Sequence, residues 1–150
     1  MSDKWAFDLG TTNTSVARWD RDADRPRLLT MPAISRAPDS DDQLEAPRLV
    51  PSATEVIADP SFWSRLSSRP LLSRLNLWGK LAHIGREALE RDQGVERPAL
   101  AHTFKPYLGL DAMKHLAHAW GHAYTARDIA RLFLRELLSH VRQATGERIR

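Results

Sequence analysis

The stretch that decides the fold is Lys4-Trp5-Ala6-Phe7-Asp8-Leu9-Gly10-Thr11-Thr12-Asn13-Thr14-Ser15-Val16-Ala17-Arg18-Trp19. Residues 4–9 are an apolar run ending near an acid, which predicts a strand buried on both faces. Residues 10–14 are turn material. Residues 15–19 carry β-branched and aromatic side chains and predict a second strand. Together they make a hairpin with a polar five-residue tip. A carboxylate at a strand end, here Asp8, is fixed by the sheet and suits a hydrated Mg²⁺. Gly10 lets the backbone turn tightly and a ligand approach it closely. Thr11 and Thr12 bring hydroxyls and consecutive backbone N–H groups, which converge well on a phosphate oxygen. The same composition also serves an ordinary hairpin turn capped by Asp and Thr side chains.

Working outward, residues 27–31 predict a third strand, completing an antiparallel meander. Residues 36–47 are rich in acids and prolines and predict a surface loop. Leu49 to Ile57 returns to apolar and β-branched residues and predicts an extended segment from near Pro51. Residues 60–91 read as helical pieces. A helix from near Pro70 would place Leu71, Leu72, Leu75 and Trp78 on one face, and Ile84 to Arg91 suits another short helix. Residues 111–120 are ambiguous, although Met113, Leu116 and Trp120 fit a helical face. The clearest element is the last. Thr125 and Asp128 form a capping-box start, and Ile129, Leu132, Phe133, Leu137, Leu138 and Val141 lie on one face of a helix of about six turns. Gly146 stands where a C-terminal glycine cap belongs.

The chain has 150 residues, 42% of them hydrophobic, which suits one domain with a core of its own. Its net charge of +3 is spread among interspersed acids and bases instead of a basic stripe, so no nucleic-acid partner is expected. The absence of cysteine excludes a disulfide scaffold, a cysteine nucleophile and a thiolate metal site. No apolar run matches a signal peptide or a membrane span, so no membrane partner is expected and the expected location is the cytoplasm. His115, His118 and His122 would share one face if their segment were helical, and three imidazoles bind Zn²⁺. No acid matches them, so a polar helix face is the preferred reading. Sequence patterns for a P-loop, a dinucleotide-binding fold and an α/β-hydrolase are missing.

The run from Ala6 to Ala17 resembles the first phosphate motif of the seventy-kilodalton heat-shock chaperones, the DnaK family. That family lies within the actin-like ATPase superfamily. Other segments resemble the family in order. They are Val50-Pro51-Ser52, Ile84-Gly85-Arg86-Glu87-Ala88, Phe104-Lys105-Pro106-Tyr107-Leu108-Gly109, and Tyr124-Thr125-Ala126 with the long helix. The resemblance implies an α/β fold, an actin-like, ribonuclease-H-like lobe made of an N-terminal β-meander plus helices. It implies Mg²⁺ held through water by Asp8, and ATP or ADP phosphates lined by Gly10, Thr11, Thr12 and Asn13. It places Lys105 at the γ-phosphate and the attacking water; read alone, Lys105 is equally a surface lysine beside a proline turn.

There are departures. Residues 58–83 are longer and more apolar than the family pattern, and Pro106 replaces a basic residue. The second phosphate motif, the adenosine-binding segment, the later acid pair and the peptide-binding β-sandwich have no counterpart. Residues 1–150 therefore correspond to the N-terminal part of one lobe. The expected function is the ATP-binding portion of a chaperone that couples hydrolysis to binding of unfolded polypeptide. A J-domain co-chaperone and a nucleotide exchange factor are the implied partners, and this portion alone is expected not to hydrolyse ATP. The alternatives are an actin-like filament ATPase, a sugar-kinase-like protein and a degenerate fragment.

Overall fold

The computed structural model describes residues 4–36, 48–58, 79–91, 98–147 and 149. The expected loop at 36–47, apart from Arg36, and the expected helix from near Pro70 through Trp78 lie outside the described residues. Within them the chain is mixed α/β, with antiparallel strands and a few helices.

The opening hairpin forms as expected. Strand β1 (Trp5–Leu9) pairs antiparallel with β2 (Asn13–Asp20), which pairs in turn with β3 (Arg25–Leu28). Strand β4 (Val50–Pro51) joins β2 at its start, with Asn13 opposite Pro51 and Thr14 opposite Val50. Thr14 also lies opposite Leu9, so the tip is tighter than five free residues. Alternation sets the inner face of β2, where Thr14 and Val16 are buried. The expectation that β1 is buried on both faces fails. Among the described residues only β2 pairs with it, and Ala6, Phe7 and Asp8 are exposed.

The extended segment after residue 49 divides at Ser52 and Ala53. Strand β5 (Thr54–Val56) leaves β4 and enters a second sheet, between β6 (Ala82–Ile84) and β7 (Leu100–Ala101). Ile84 is therefore strand, and the short helix α1 begins two residues later, at Arg86–Glu90. Gly85 makes that corner. Its φ is 63°, and a Cβ there would stand 2.2 Å from the Ile34 carbonyl oxygen. Only glycine allows so close a backbone crossing.

Residues 115–125 form a hairpin, not a helix. Strands β8 (His115–Ala119) and β9 (His122–Thr125) are joined by Trp120 and Gly121, both with positive φ (55° and 74°). Two left-handed residues match the twist of a tight hairpin. His115, His118 and His122 are thus distributed over two strands, and no metal-binding group of three such side chains exists among the described residues.

Helix α2 (Lys105–Leu110) precedes that hairpin, and α3 (Ala126–Thr145) follows it. Helix α3 starts with the expected capping box. The Asp128 N–H donates to Thr125 Oγ1 (3.3 Å), and the Thr125 N–H donates to Asp128 Oδ2 (3.1 Å). It ends at Gly146 in the left-handed region, φ 73°. Its buried stripe is Ile129, Phe133, Leu137 and Val141, packed in one core with Val16, Ile34, Val50 and Ile84.

A polar cluster lies where β6, α1 and α3 meet. His83 Nδ1 lies 2.6 Å from Glu87 Oε1, and Lys80 pairs with the other oxygen of the same carboxylate. Burial pushes the His83 imidazole below its ordinary value, against the pull of Glu87. Burial likewise lowers His140, with Lys80 adding to it. Burial alone would raise the Glu87 carboxyl, but Lys80 and His83 outweigh it and hold it below its ordinary range.

Two outcomes follow from this packing. Replacing Thr125 by Ala removes the cap of α3 and should cost about 1 kcal/mol in urea unfolding. Both histidines bind protons more tightly when unfolded, so their contribution is lost as pH falls below 6.5. The thermal midpoint should therefore drop between about pH 7 and pH 5, and H83Q with H140Q should flatten that slope. An unchanged slope in the double variant would refute the assignment.

Candidate functional site

The rim around the β1–β2 tip is assembled from three distant segments. Three consecutive tip carbonyls are held by other parts of the chain. The Gly10 oxygen accepts from Ser52 Oγ (3.2 Å), and the Thr12 oxygen accepts from the Ser52 N–H (2.8 Å). Between them, the Thr11 oxygen accepts from Thr103 Oγ1 (3.0 Å). In a trans peptide the N–H points opposite to the preceding carbonyl. The N–H groups of Thr11 and Asn13 are therefore turned away from Ser52, and that of Thr12 away from Thr103. N–H groups so turned, beside two exposed threonines, suit an anion.

Each support has a local cause. Ser52 is fully buried at the end of β4, where β2 and β4 register on each other. Thr103 precedes Phe104, whose ring is buried against Phe133 of α3 with centroids 5.2 Å apart. That contact fixes where α2 starts and leaves Lys105, its first residue, exposed two positions beyond Thr103. On the other flank, Arg36 Nε donates to the Asn13 side-chain oxygen (2.9 Å), which orients that amide.

Gly10 to Asn13 form the tip, and the segment carrying Lys105 is tied to it through Thr103. Asp8 stands on β1 opposite Ser15 and is exposed. Its single carboxylate fits a cation that keeps most of its waters and arrives with phosphate oxygens, since Mg²⁺ needs only one or two protein carboxylates in such sites. The donors are all hard oxygens, as Mg²⁺ requires. Thr103 and Arg36 escaped sequence reasoning, and Ser52 was noted only as part of a resemblance. The available signal was a small polar residue inside an otherwise apolar stretch, as at Ser52.

No family model matches the chain, and no curated protein matches it.

Gly10 is the point where the tip closes on itself. A Cβ there would lie 2.4 Å from the Asn13 carbonyl oxygen, a backbone atom that cannot swing aside like a side chain. Gly10→Ala should cost about 1–3 kcal/mol of stability by forcing the tip open. In amide hydrogen exchange the protection of the Ser52 N–H should fall together with it. Full retention of that protection would mean the tip tolerates the methyl group.

Proposed function

We propose that the tip of the β1–β2 hairpin, with Lys105 beside it, binds the phosphates of a Mg²⁺–nucleotide, ATP or ADP. We place it in an actin-like ATPase lobe of the seventy-kilodalton heat-shock type. The observation that carries this is the fastening of the Gly10, Thr11 and Thr12 carbonyls to Ser52 and Thr103. It turns the following N–H groups away from Ser52 and Thr103 and ties the segment before Lys105 to the same rim. An ordinary hairpin turn does not require two distant segments to hold its carbonyls.

The roles divide by chemistry. Asp8 would hold Mg²⁺ through its waters, and the cation would neutralise phosphate charge. The backbone N–H groups of Thr11 to Asn13 and the two threonine hydroxyls would receive phosphate oxygens. Lys105 would supply a positive charge toward the terminal phosphate. Catalysis of phosphoryl transfer depends on positioning and charge stabilisation around the whole group. The described residues supply one rim of such a site, so binding is expected without useful turnover. Within this reading the larger cycle couples nucleotide state to grip on unfolded polypeptide, with a J-domain co-chaperone and an exchange factor as partners.

The test is nucleotide binding by the full chain, read by calorimetry and by the shift in melting temperature. Mg²⁺–ATP and Mg²⁺–ADP should both stabilise the fold, and AMP should not. Lys105→Ala should weaken Mg²⁺–ATP about tenfold, the loss of one charge-assisted contact. No stabilisation by either nucleotide, or an affinity indifferent to Lys105, would overturn the proposal.

A further inference from the structure

Arg36 lies outside every segment that carries the resemblance, and by sequence it opens a surface loop. In the fold its backbone is held. Its N–H donates to the Leu49 carbonyl (2.9 Å). The two residues before it, Ile34 and Ser35, are fully buried and both donate their N–H groups to the Met31 carbonyl (3.0 and 2.9 Å). From this anchored position the side chain crosses to the hairpin tip. There Nε donates to Asn13 Oδ1 (2.9 Å), with both residues half-buried. The backbone of Asn13 is set independently, by its register opposite Pro51.

The chemistry of the two groups fixes what this contact leaves over. A guanidinium only donates, so the Asn13 atom that meets it must be the oxygen. The nitrogen, Nδ2, therefore lies on the other side of the carboxamide. It keeps two N–H donors with no acceptor among the described residues. The neighbouring acceptors are engaged in the same way, since the Gly10, Thr11 and Thr12 carbonyls already receive Ser52 and Thr103. Arg36 thus extends a pattern in which the chain itself holds the acceptors of the tip and leaves its donors over. A ligand suited to such a rim is rich in acceptors and negatively charged, as a phosphate group is.

We propose that Arg36 is a positioning residue of the phosphate site. It acts through Asn13, by holding the carboxamide in the one orientation that offers Nδ2 to a phosphate oxygen. Without that bond the carboxamide is free to turn over, and an amide oxygen then stands where a phosphate oxygen would have to approach. Two acceptors facing each other repel, so the misoriented amide weakens binding as well as failing to contribute. An amide held beforehand also loses no rotational freedom when the ligand arrives. This role rests on the nucleotide reading of the tip. It differs from a plain structural tie between residue 36 and the hairpin, which would support the fold and leave the affinity of the folded chain unchanged.

The test is calorimetric titration of the full chain and its variants with Mg²⁺–ATP, with urea unfolding of each alongside. Arg36→Met keeps the apolar stem and removes the donor. It and Asn13→Ala should each weaken Mg²⁺–ATP about tenfold. The double variant should also lose about tenfold, because both changes remove the same contact. Arg36→Gln sets an amide nitrogen as many bonds from Cα as Nε, so it keeps the donor without the charge. It should bind within about threefold of the unaltered chain. Losses that add to about a hundredfold in the double variant would overturn the proposal. So would an Arg36→Gln variant no better than Arg36→Met, or an Arg36→Met variant with a lower urea midpoint and unchanged affinity. Failure of the unaltered chain to bind Mg²⁺–ATP would remove the nucleotide reading and this role with it. Binding by the unaltered chain that is indifferent to Arg36 would remove this role alone.

Discussion

Burial of one face of α3 is the constraint on which the remaining structure depends. Ile129, Phe133, Leu137 and Val141 are fully excluded from water. Each such side chain is worth about 1.5–3 kcal/mol relative to exposure, so together they outweigh the capping box at its N-terminus several-fold. The helix packs on β5 and β6 and on β8 and β9. Phe133 seats Phe104, and Phe104 in turn locates Thr103 and Lys105. Glu136, although buried on the same helix, accepts the Leu81 N–H and so ties the approach to β6 onto α3. The placement of the candidate site is a consequence of hydrophobic packing well away from it.

At the tip itself the forces are polar and local. Three carbonyls find donors from Ser52 and Thr103, and closure requires a residue without a side chain at Gly10. A ligand meeting these N–H groups would not have to order them first, since their peptide planes are already held. That is the physical content of preorganisation for anion binding. Gly85 does similar work on the opposite flank, where its N–H donates to the Ala53 carbonyl and the next N–H donates to Ile34. These bonds fasten both ends of the crossing that leads into α1.

Much of this was readable from residues in order. The threonine–aspartate start, the 3–4 spacing of apolar positions and the closing glycine specified α3 to within a residue or so. The β1–β2 hairpin followed from apolar runs flanking Gly10. Residues 111–120 misled because of a specific irregularity. A register shift between His115 and Ala117 moves the alternation by one place, so His115 and His118 become neighbours with ring centroids 6.1 Å apart. A spacing of three that normally signals a helix is here produced by a bulged strand. The burial of β1 misled for another reason, because an apolar run does not state how many neighbours its strand has.

Sequence alone determined the local elements whose causes lie within a few residues. These are the caps of α3, its apolar stripe, the glycine-closed hairpin and the acid, hydroxyls and lysine that suit a phosphate. Tertiary structure alone decided which of those groups meet. The bond from Thr103 to Thr11 spans 92 residues, and that from Ser52 to Gly10 spans 42. No local pattern encodes such partners, because they are selected by how the core packs as a whole.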